Sequence, residues 1–417
     1  MKKVKFVTLG CKVNQYETQA MRESMRSVGV LEETAGSTDF VVVNTCTVTE
    51  EADKENRYWI RRLRRENPAA KIVVTGCWVQ RNRKEVESLS GVDLVLSNQE
   101  KPELATRLFQ GCGGPFQISS FPGQGRAFLK VQDGCNHACS FCKVVLVRGR
   151  SRSRSVSEIV DEAKRLRDSG FREIVLTGIQ LGAYGFDLEP RVNLVSILEA
   201  LSNVPGIDRI RLSSIEPTDV KPELIDAMKS LPGICPQLHI PLQSGDDEVL
   251  KAMNRRYGRD FYLNLTENLR SEIPDFCLSM DVMAGFPGEE ETHFQNTLSV
   301  LEQTRPIRVH AFPYSRREGT RAARLTDLLP AVLRSRMNRL LQFSQDTARR
   351  EKENFLGKTF SVLVESKSSQ GELYQGHTAN YLKVYFAASE EFLGLFVSVR
   401  LLTVLGDGIF GRREEVE

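Results

Sequence analysis

Cys135-Asn-His-Ala-Cys139-Ser-Phe-Cys142 is the stretch from which the rest of the chain can be read. It places three thiols at the spacing CxxxCxxC, with the aromatic Phe141 just before the last. Three thiolates from one tight loop can hold three corners of a four-iron cubane and leave the fourth iron open. An open metal position is what a reactive site needs, whereas structural sites are usually closed. The competing reading is a structural zinc loop completed by His137 or by a distant residue. Zinc loops usually present CxxC or CxxH pairs, so the spacing favours the cluster.

Outward from this loop the pattern is strand, then helix, repeated. Residues 126–132 read as a strand that runs straight into the cysteines. Further strand-like runs fall at 173–177, 209–213, 237–242, 277–283 and 307–312, and helical stretches such as 156–169, 222–231 and 259–272 lie between most of them. Six such repeats predict a partial (β/α)6 barrel of TIM type within residues 121–350. Its active mouth lies at the C-terminal strand ends, where the cysteine loop falls. Gly178, Ser214, Glu216, Gln243, Ser244 and Gly285 follow the other strands. Each alone is an ordinary turn residue, but their recurrence around one mouth suits the binding of a nucleoside and an amino acid.

The N-terminal block, residues 1–115, repeats the α/β theme. β-branched runs at 4–8, 40–43, 71–75 and 92–96 alternate with amphipathic stretches at 17–28, 51–65 and 83–89. This predicts an open parallel sheet with right-handed crossovers. The first three strands each end in a cysteine: Cys11, Cys46 and Cys77. C-terminal strand ends share one crevice in such a sheet, so thiols far apart in sequence can converge. A single buried cysteine would mean nothing, but three at equivalent ends favour a second three-thiolate cluster. Cys112, in a Gly-Cys-Gly-Gly-Pro run, reads as part of a linker, and Cys235 and Cys277 lack partners at metal-site spacing.

From residue 353 to 417 the pattern turns to β, with runs at 359–364, 381–387 and 396–405, which predicts a small antiparallel barrel. Such barrels often bind RNA, but from Phe355 onward six basic residues face eight acidic ones. Positive charge gathers elsewhere. Residues 143–154 carry five cations and no acid, and residues 305–350 hold eleven arginines against three acids. A polyanion such as RNA accounts for both runs better than a neutral metabolite does, and Arg148, Arg150, Arg316 and Arg317 are the candidate contacts.

Composition sets the remaining bounds. At 417 residues with 41% apolar content, the chain is long enough for several packed domains. A net charge of +3 names no partner by itself. No segment approaches the roughly 20 apolar residues of a membrane span. Nine cysteines without an export signal point to a reducing compartment, so a cytoplasmic location with no membrane partner is expected.

The cysteine loop matches the signature of radical S-adenosylmethionine (SAM) enzymes, and nearly the whole chain resembles one family of them, the methylthiotransferases. Leu9-Gly-Cys-Lys-Val-Asn-Gln-Tyr-Glu17, Val43-Asn-Thr-Cys-Thr-Val-Thr49, Leu176-Thr-Gly-Ile-Gln-Leu-Gly-Ala-Tyr184 and Pro241-Leu-Gln-Ser-Gly245 resemble the branch acting on threonylcarbamoyladenosine in tRNA. The resemblance implies two 4Fe–4S clusters, SAM, and a C-terminal TRAM-like domain. Cys135, Cys139 and Cys142 would serve SAM cleavage, while Cys11, Cys46 and Cys77 would hold the auxiliary cluster. It also implies a tRNA substrate, an electron donor such as flavodoxin or ferredoxin, and a sulfur source. Sister branches act on isopentenyladenosine in tRNA or on an aspartate of a ribosomal protein. The alternative from another class is a non-enzymatic RNA-binding protein with structural zinc. After Cys142 the family pattern leads one to expect an apolar pair and a proline, where this chain has Lys143-Val-Val-Leu-Val-Arg148.

Overall fold

The computed structural model describes residues 1–34, 36–109, 113–123, 125–368 and 372–414; Cys112 lies outside the described residues. Strands β1 Lys3–Thr8, β2 Leu31–Glu32, β3 Phe40–Thr45, β4 Lys71–Gly76 and β5 Leu94–Leu96 form one sheet in the order β2-β1-β3-β4-β5. Every pairing in it is parallel. Helices α1 Lys12–Ser27, α2 Glu50–Glu66 and α3 Cys77–Glu87 cover the two faces, and a short α4 Leu104–Leu108 follows β5. β3 is buried at every position, with Val41 and Val43 in one core layer and Phe40 and Val42 in the other. A strand covered on both faces reads as an unbroken apolar run, as Phe-Val-Val-Val does. β2 is an unanticipated fifth strand, because two exposed residues leave no periodic signal.

β6 Ala127–Lys130 leads into the cysteine loop. A two-residue antiparallel ladder, β7 Gln132–Asp133 with β8 Arg152–Ser153, closes the loop at its base, and α5 Val144–Arg148 lies inside it. The Lys-Val-Val-Leu-Val-Arg departure thus becomes a short helix. Beyond it run α6 Val156–Asp168, β9 Glu173–Thr177, α7 Leu194–Ser202, β10 Arg209–Leu212, α8 Pro222–Ser230 and β11 Gln237–His239. Then follow α9 Asp247–Ala252, α10 Arg259–Glu272, β12 Cys277–Ala284, α11 Glu291–Thr304, β13 Arg308–Pro313 and the long α12 Pro330–Glu353. α6 starts at a capping box in which Ser155 and Glu158 satisfy each other's backbone N–H. The strands pair in parallel as β6-β9-β10 and β11-β12-β13, joined by bridges between Ile210 and Ile234 and between Ser214 and His239. The result is a six-strand open barrel in chain order. Tyr16 and Ala20 of α1 belong to the same apolar core as Phe128 and Leu129 of β6, so the N-terminal sheet is packed directly onto it.

Strands β14 Thr359–Lys367, β15 Tyr374–Thr378, β16 Lys383–Phe386, β17 Phe396–Leu405 and β18 Gly408–Glu414 close a small barrel in the order β14-β15-β16-β18-β17. β16 runs parallel to β18, and the other pairings are antiparallel. This barrel plugs the N-terminal end of the large one through a buried ionic cluster. Glu173 takes Arg211 at 2.8 Å, Arg209 at 3.5 Å and Arg126 at 3.7 Å. Arg209 donates onward to the carbonyls of Ser361 and His377, and Arg211 to those of Thr378 and Ala379. The Tyr381 ring lies against both Arg126 and Arg211. The floor is therefore closed, and the opposite end carries the cysteine loop.

Burial alone would raise the Glu173 carboxyl, but Arg211 and Arg126 outweigh it and bring it from 4.5 to about 2. A carboxylate lowered in the folded state stabilises above its unfolded value, and that contribution is lost as pH falls through the folded one. Replacing Glu173 by Gln should cost about 3–5 kcal/mol at neutral pH, as for a broken buried ion pair. Urea melts should show the deficit shrinking as pH falls from about 4.5 toward about 2; a pH-independent deficit would contradict the assignment.

Candidate active site

The N-terminal sheet delivers its three thiols as the parallel topology requires. Cys11 is the N-cap of α1, Cys46 follows β3, and Cys77 opens α3 directly after β4. Close approach depends on glycine. Gly10 has φ +94°, and a Cβ there would lie 2.7 Å from Cys46 Cβ and 2.8 Å from its Sγ. Gly76 has φ +106°, and a Cβ there would lie 2.3 Å from the Thr45 carbonyl. Cys46 is within electrostatic reach of both Cys77 and Cys11, and burial pushes its thiol up to about 12. The Asn14 amide donates to the Leu9 carbonyl at 2.8 Å and to the Thr45 carbonyl at 2.9 Å, pinning the first two cysteine turns together.

Arg148 joins this triad to the other one. Its side chain, 1% exposed, leaves the end of α5 and enters the N-terminal unit. Nε donates to Cys77 Sγ at 3.1 Å, Nη1 to Glu17 at 2.5 Å and Nη2 to Asn14 Oδ1 at 2.5 Å. Lys101 and Lys130 also bind Glu17, and Lys130 and Arg148 share Asp133. Burial would raise Glu17, but the three cations hold it well below the usual carboxylate range. Burial would likewise lower Arg148, but Glu17, the Cys77 thiol and Asp133 hold it well above its ordinary value.

In the CxxxCxxC loop the thiols meet donors suited to thiolates. The His137 backbone N–H points to Cys135 Sγ at 3.3 Å, and that of Val144 to Cys142 Sγ at 3.4 Å. Arg255 Nη1 lies 3.3 Å from Cys139 Sγ and its Nη2 binds Glu216. Burial pushes Cys135 up to about 11 and Cys142 up to about 12, so binding a metal must displace protons. A cleft of about 530 Å³ opens over this loop, bounded also by Arg150, Thr320 and Arg321. A second hollow of about 230 Å³ joins Cys142 to Thr49 of the N-terminal unit, past Met283 and Phe312. Among the described residues no three His, Cys, Asp or Glu side chains gather closely enough for a single metal ion.

Around the mouth, Thr177 Oγ1, Ser213 Oγ and Gln243 Oε1 are buried and have no hydrogen-bond partner among the described residues. Each follows or ends a barrel strand, and an unpaired buried polar atom is costly unless a ligand meets it. The donor set fits a nucleoside with an amino-acid tail. Gly178 is packed against Gln132, whose Oε1 accepts from the N–H groups of Ile179 and Gln180. Ser214 is exposed and Glu216 half-buried beside Arg255. Two expected residues are placed otherwise. Ser244 turns into the wall toward Thr297, and Gly285 is hemmed in by Leu333, which a Cβ would meet at 2.4 Å. Thr177, Ser213 and Arg255 were not singled out from sequence, since only their positions in the barrel reveal them.

Known proteins match along these same lines. The Radical SAM superfamily matches residues 129–301, and a group described as Uncharacterized protein family UPF0004 matches residues 3–97. The threonylcarbamoyladenosine tRNA methylthiotransferase MtaB of Chlamydia pneumoniae is 38% identical over 98% of this chain and 97% of its own. The protein of that name from Bacillus subtilis is 36% identical over 96% and 94%. The chain belongs to the methylthiotransferase family of radical SAM enzymes. A tRNA-2-methylthio-N(6)-dimethylallyladenosine synthase from Acetivibrio thermocellus is 33% identical over 95% of this chain and 88% of its own. Among solved structures, the radical SAM methyltransferase TsrM from Kitasatospora setae shares the fold, with a TM-score of 0.56, 16% identity and 77% of each chain covered. A radical SAM enzyme uses SAM and a 4Fe–4S cluster, and no helix among the described residues is long and apolar enough to cross a membrane.

For this methylthiotransferase the arginines expected to meet RNA divide into two kinds. Arg150 is exposed at the cleft, and Arg316 is exposed but paired with Asp327 at 2.9 Å. Arg148 and Arg317 are corrections. Arg148 is consumed by Glu17, Asn14 and Cys77, and Arg317 is buried against Thr47 and Asp53, at 2.8 and 2.7 Å. Both link the N-terminal unit to the barrel. Arg148→Ala should therefore free the cysteine turns. Hydrogen exchange should speed up at amides 9–15 and 76–80, and stability should fall by about 1–3 kcal/mol, because Asn14 and Cys77 lose a buried donor while Glu17 keeps Lys101 and Lys130. Unchanged exchange at both segments would show that Arg148 does not hold them.

Proposed function

We propose that the protein is a tRNA methylthiotransferase that converts threonylcarbamoyladenosine beside the anticodon to its 2-methylthio derivative. The observation that carries the reading is the meeting of two three-thiol sets at one mouth, tied by Arg148. For the substrate, the support is graded similarity. The two relatives described above that are named for threonylcarbamoyladenosine are 38% and 36% identical, against 33% for the one named for dimethylallyladenosine.

In this reading residues 1–115 form the domain of the auxiliary cluster, 121–350 the radical SAM core and 353–417 a TRAM-like domain. Cys135, Cys139 and Cys142 hold the SAM-binding cluster, and Cys11, Cys46 and Cys77 hold the second. Together with SAM, these clusters supply hydrogen abstraction from an unreactive carbon and the sulfur that replaces it. The chain's own part is placement. The N–H groups of His137 and Val144 and the guanidinium of Arg255 stabilise negative charge on the three core sulfurs. Arg255 fixes Glu216 at the mouth, where Gly178, Ser214, Gln243, Thr177 and Ser213 present backbone and polar groups to the nucleoside. Ser244 and Gly285 support that wall from behind. Of the four arginines expected to meet RNA, Arg150 and Arg316 remain exposed, and Arg150 lies at the cleft. The family reading also calls for a flavodoxin- or ferredoxin-like reductant, a sulfur source and a cytoplasmic setting.

The test is anaerobic reconstitution followed by dithionite, SAM and tRNA bearing threonylcarbamoyladenosine. About eight irons per chain, as two cubanes require, and a methylthio nucleoside are expected. Cys139→Ala should abolish SAM cleavage, and Cys46→Ala should keep cleavage while stopping thiolation. Normal thiolation by Cys46→Ala would overturn the second cluster. Product only with isopentenyladenosine tRNA or a ribosomal protein would move the substrate to a sister branch.

A further inference from the structure

Apart from the arginines near the cleft, a further positive surface lies on a different element. The exposed side of α2 borders a groove of about 680 Å³ lined by Lys54, Arg57, Tyr58, Arg61, Arg64 and Arg65, and no acidic side chain among the described residues lines it. Lys54, Tyr58, Arg61 and Arg65 follow one another at three- and four-residue spacing, so they form a single stripe along the helix. Arg57 and Arg64 flank the stripe but are engaged, Arg57 with Glu85 and the Trp78 ring, Arg64 with Asp93. Lys54 is drawn only loosely to Glu50 and Glu51, at 3.4 and 3.7 Å. Arg61 and Arg65 are exposed and make no hydrogen bond or ion pair among the described residues. Tyr58, between Lys54 and Arg61 in the stripe, is 53% exposed, and its hydroxyl accepts from Arg62 at 3.5 Å. The acids at the far end of the helix are taken elsewhere, Glu66 by Arg62 and Lys5.

The helix also has a fixed origin. Val48 and Thr49 line the hollow beside Cys142, and the Glu50 N–H is bound by Ser315 Oγ at 3.1 Å. From Thr49 to Arg65 the axis advances about 24 Å at 1.5 Å per residue. The stripe therefore starts at the reaction mouth and leads away from it.

We infer that this stripe is a track for the tRNA backbone, with Arg61 and Arg65 meeting phosphates of the stem beyond the target base and Tyr58 offering a stacking face. The inference rests on the tRNA reading above. Two unpaired cations one turn apart, with an exposed aromatic one turn before them, match how proteins follow a nucleic-acid strand without reading its sequence. It also answers where the RNA grip lies in a chain whose C-terminal barrel is acidic on balance.

The test compares reconstituted wild type with R61A/R65A and R61K/R65K, binding whole tRNA and, separately, a short oligonucleotide of the anticodon loop alone. Affinity is followed against salt concentration. Loss of two phosphate contacts should lower the slope of log K against log salt by about 2 and weaken whole-tRNA binding about tenfold. The lysine pair should restore the slope, and the short oligonucleotide should bind all three proteins alike, because it does not reach along the helix. An unchanged slope for R61A/R65A, with wild type still binding tRNA, would overturn the track alone. Equal losses on the short oligonucleotide would also overturn it, since the arginines would then act at the mouth. Wild type that fails to bind tRNA would overturn the substrate reading and the track with it.

Discussion

The structure depends on one buried ionic cluster, built where Arg148 meets Glu17. A guanidinium removed from water costs several kcal/mol unless its donors are met, and here a carboxylate, an amide oxygen and a thiol meet them at once. The partners come from opposite sides of the reaction mouth. Glu17, Asn14 and Cys77 belong to helices of the N-terminal unit that carries one thiol triad, and Arg148 ends the short helix that follows the other. Apolar contact between the units, such as Tyr16 against the barrel core, is non-directional and would tolerate sliding. A bidentate ion pair with further hydrogen bonds would not. Together with the buried Arg317–Asp53 pair, this interaction sets the relative position of the two triads.

A related solution closes the opposite end. Three arginines gathered on Glu173 would repel one another in isolation, yet two of them spend their remaining donors on carbonyls of the C-terminal barrel. That barrel is thus fastened by backbone acceptors together with a few side chains, Tyr381, Phe396 and Glu365, that face the same arginines. The segment from Phe355 onward is acidic on balance.

Much of this was legible in the sequence, for physical reasons that differ from element to element. Cys11, Cys46 and Cys77 could be read as a set because each ends a β-branched run, and parallel strands must bring such ends together. The barrel was legible from six repeats of strand and helix. β15 and β18 were not, because Gly376, Gly408 and Gly411 break the apolar alternation that marks a strand. The arginines show the limit most clearly. Arg148 and Arg150 stand two residues apart in one basic run, yet one is buried in an ion pair and the other faces the cleft. A charge pattern reports how much charge is present and is silent on which way each side chain turns. Arg255 was invisible for the opposite reason, because nothing local marks an arginine that will reach Cys139 across the barrel mouth.

The short helix between Cys142 and Arg148 has a consequence of its own. Each residue of an α-helix turns the next by about 100° around the axis. Arg148 meets Glu17 only because the spacer from the last thiol has its present length. Adding or removing one residue there would swing the guanidinium toward the barrel wall or the solvent, though every cysteine stayed in place. The length of 143–147 is therefore constrained as tightly as the identity of the thiols, while the apolar residues that fill it are constrained mainly by size.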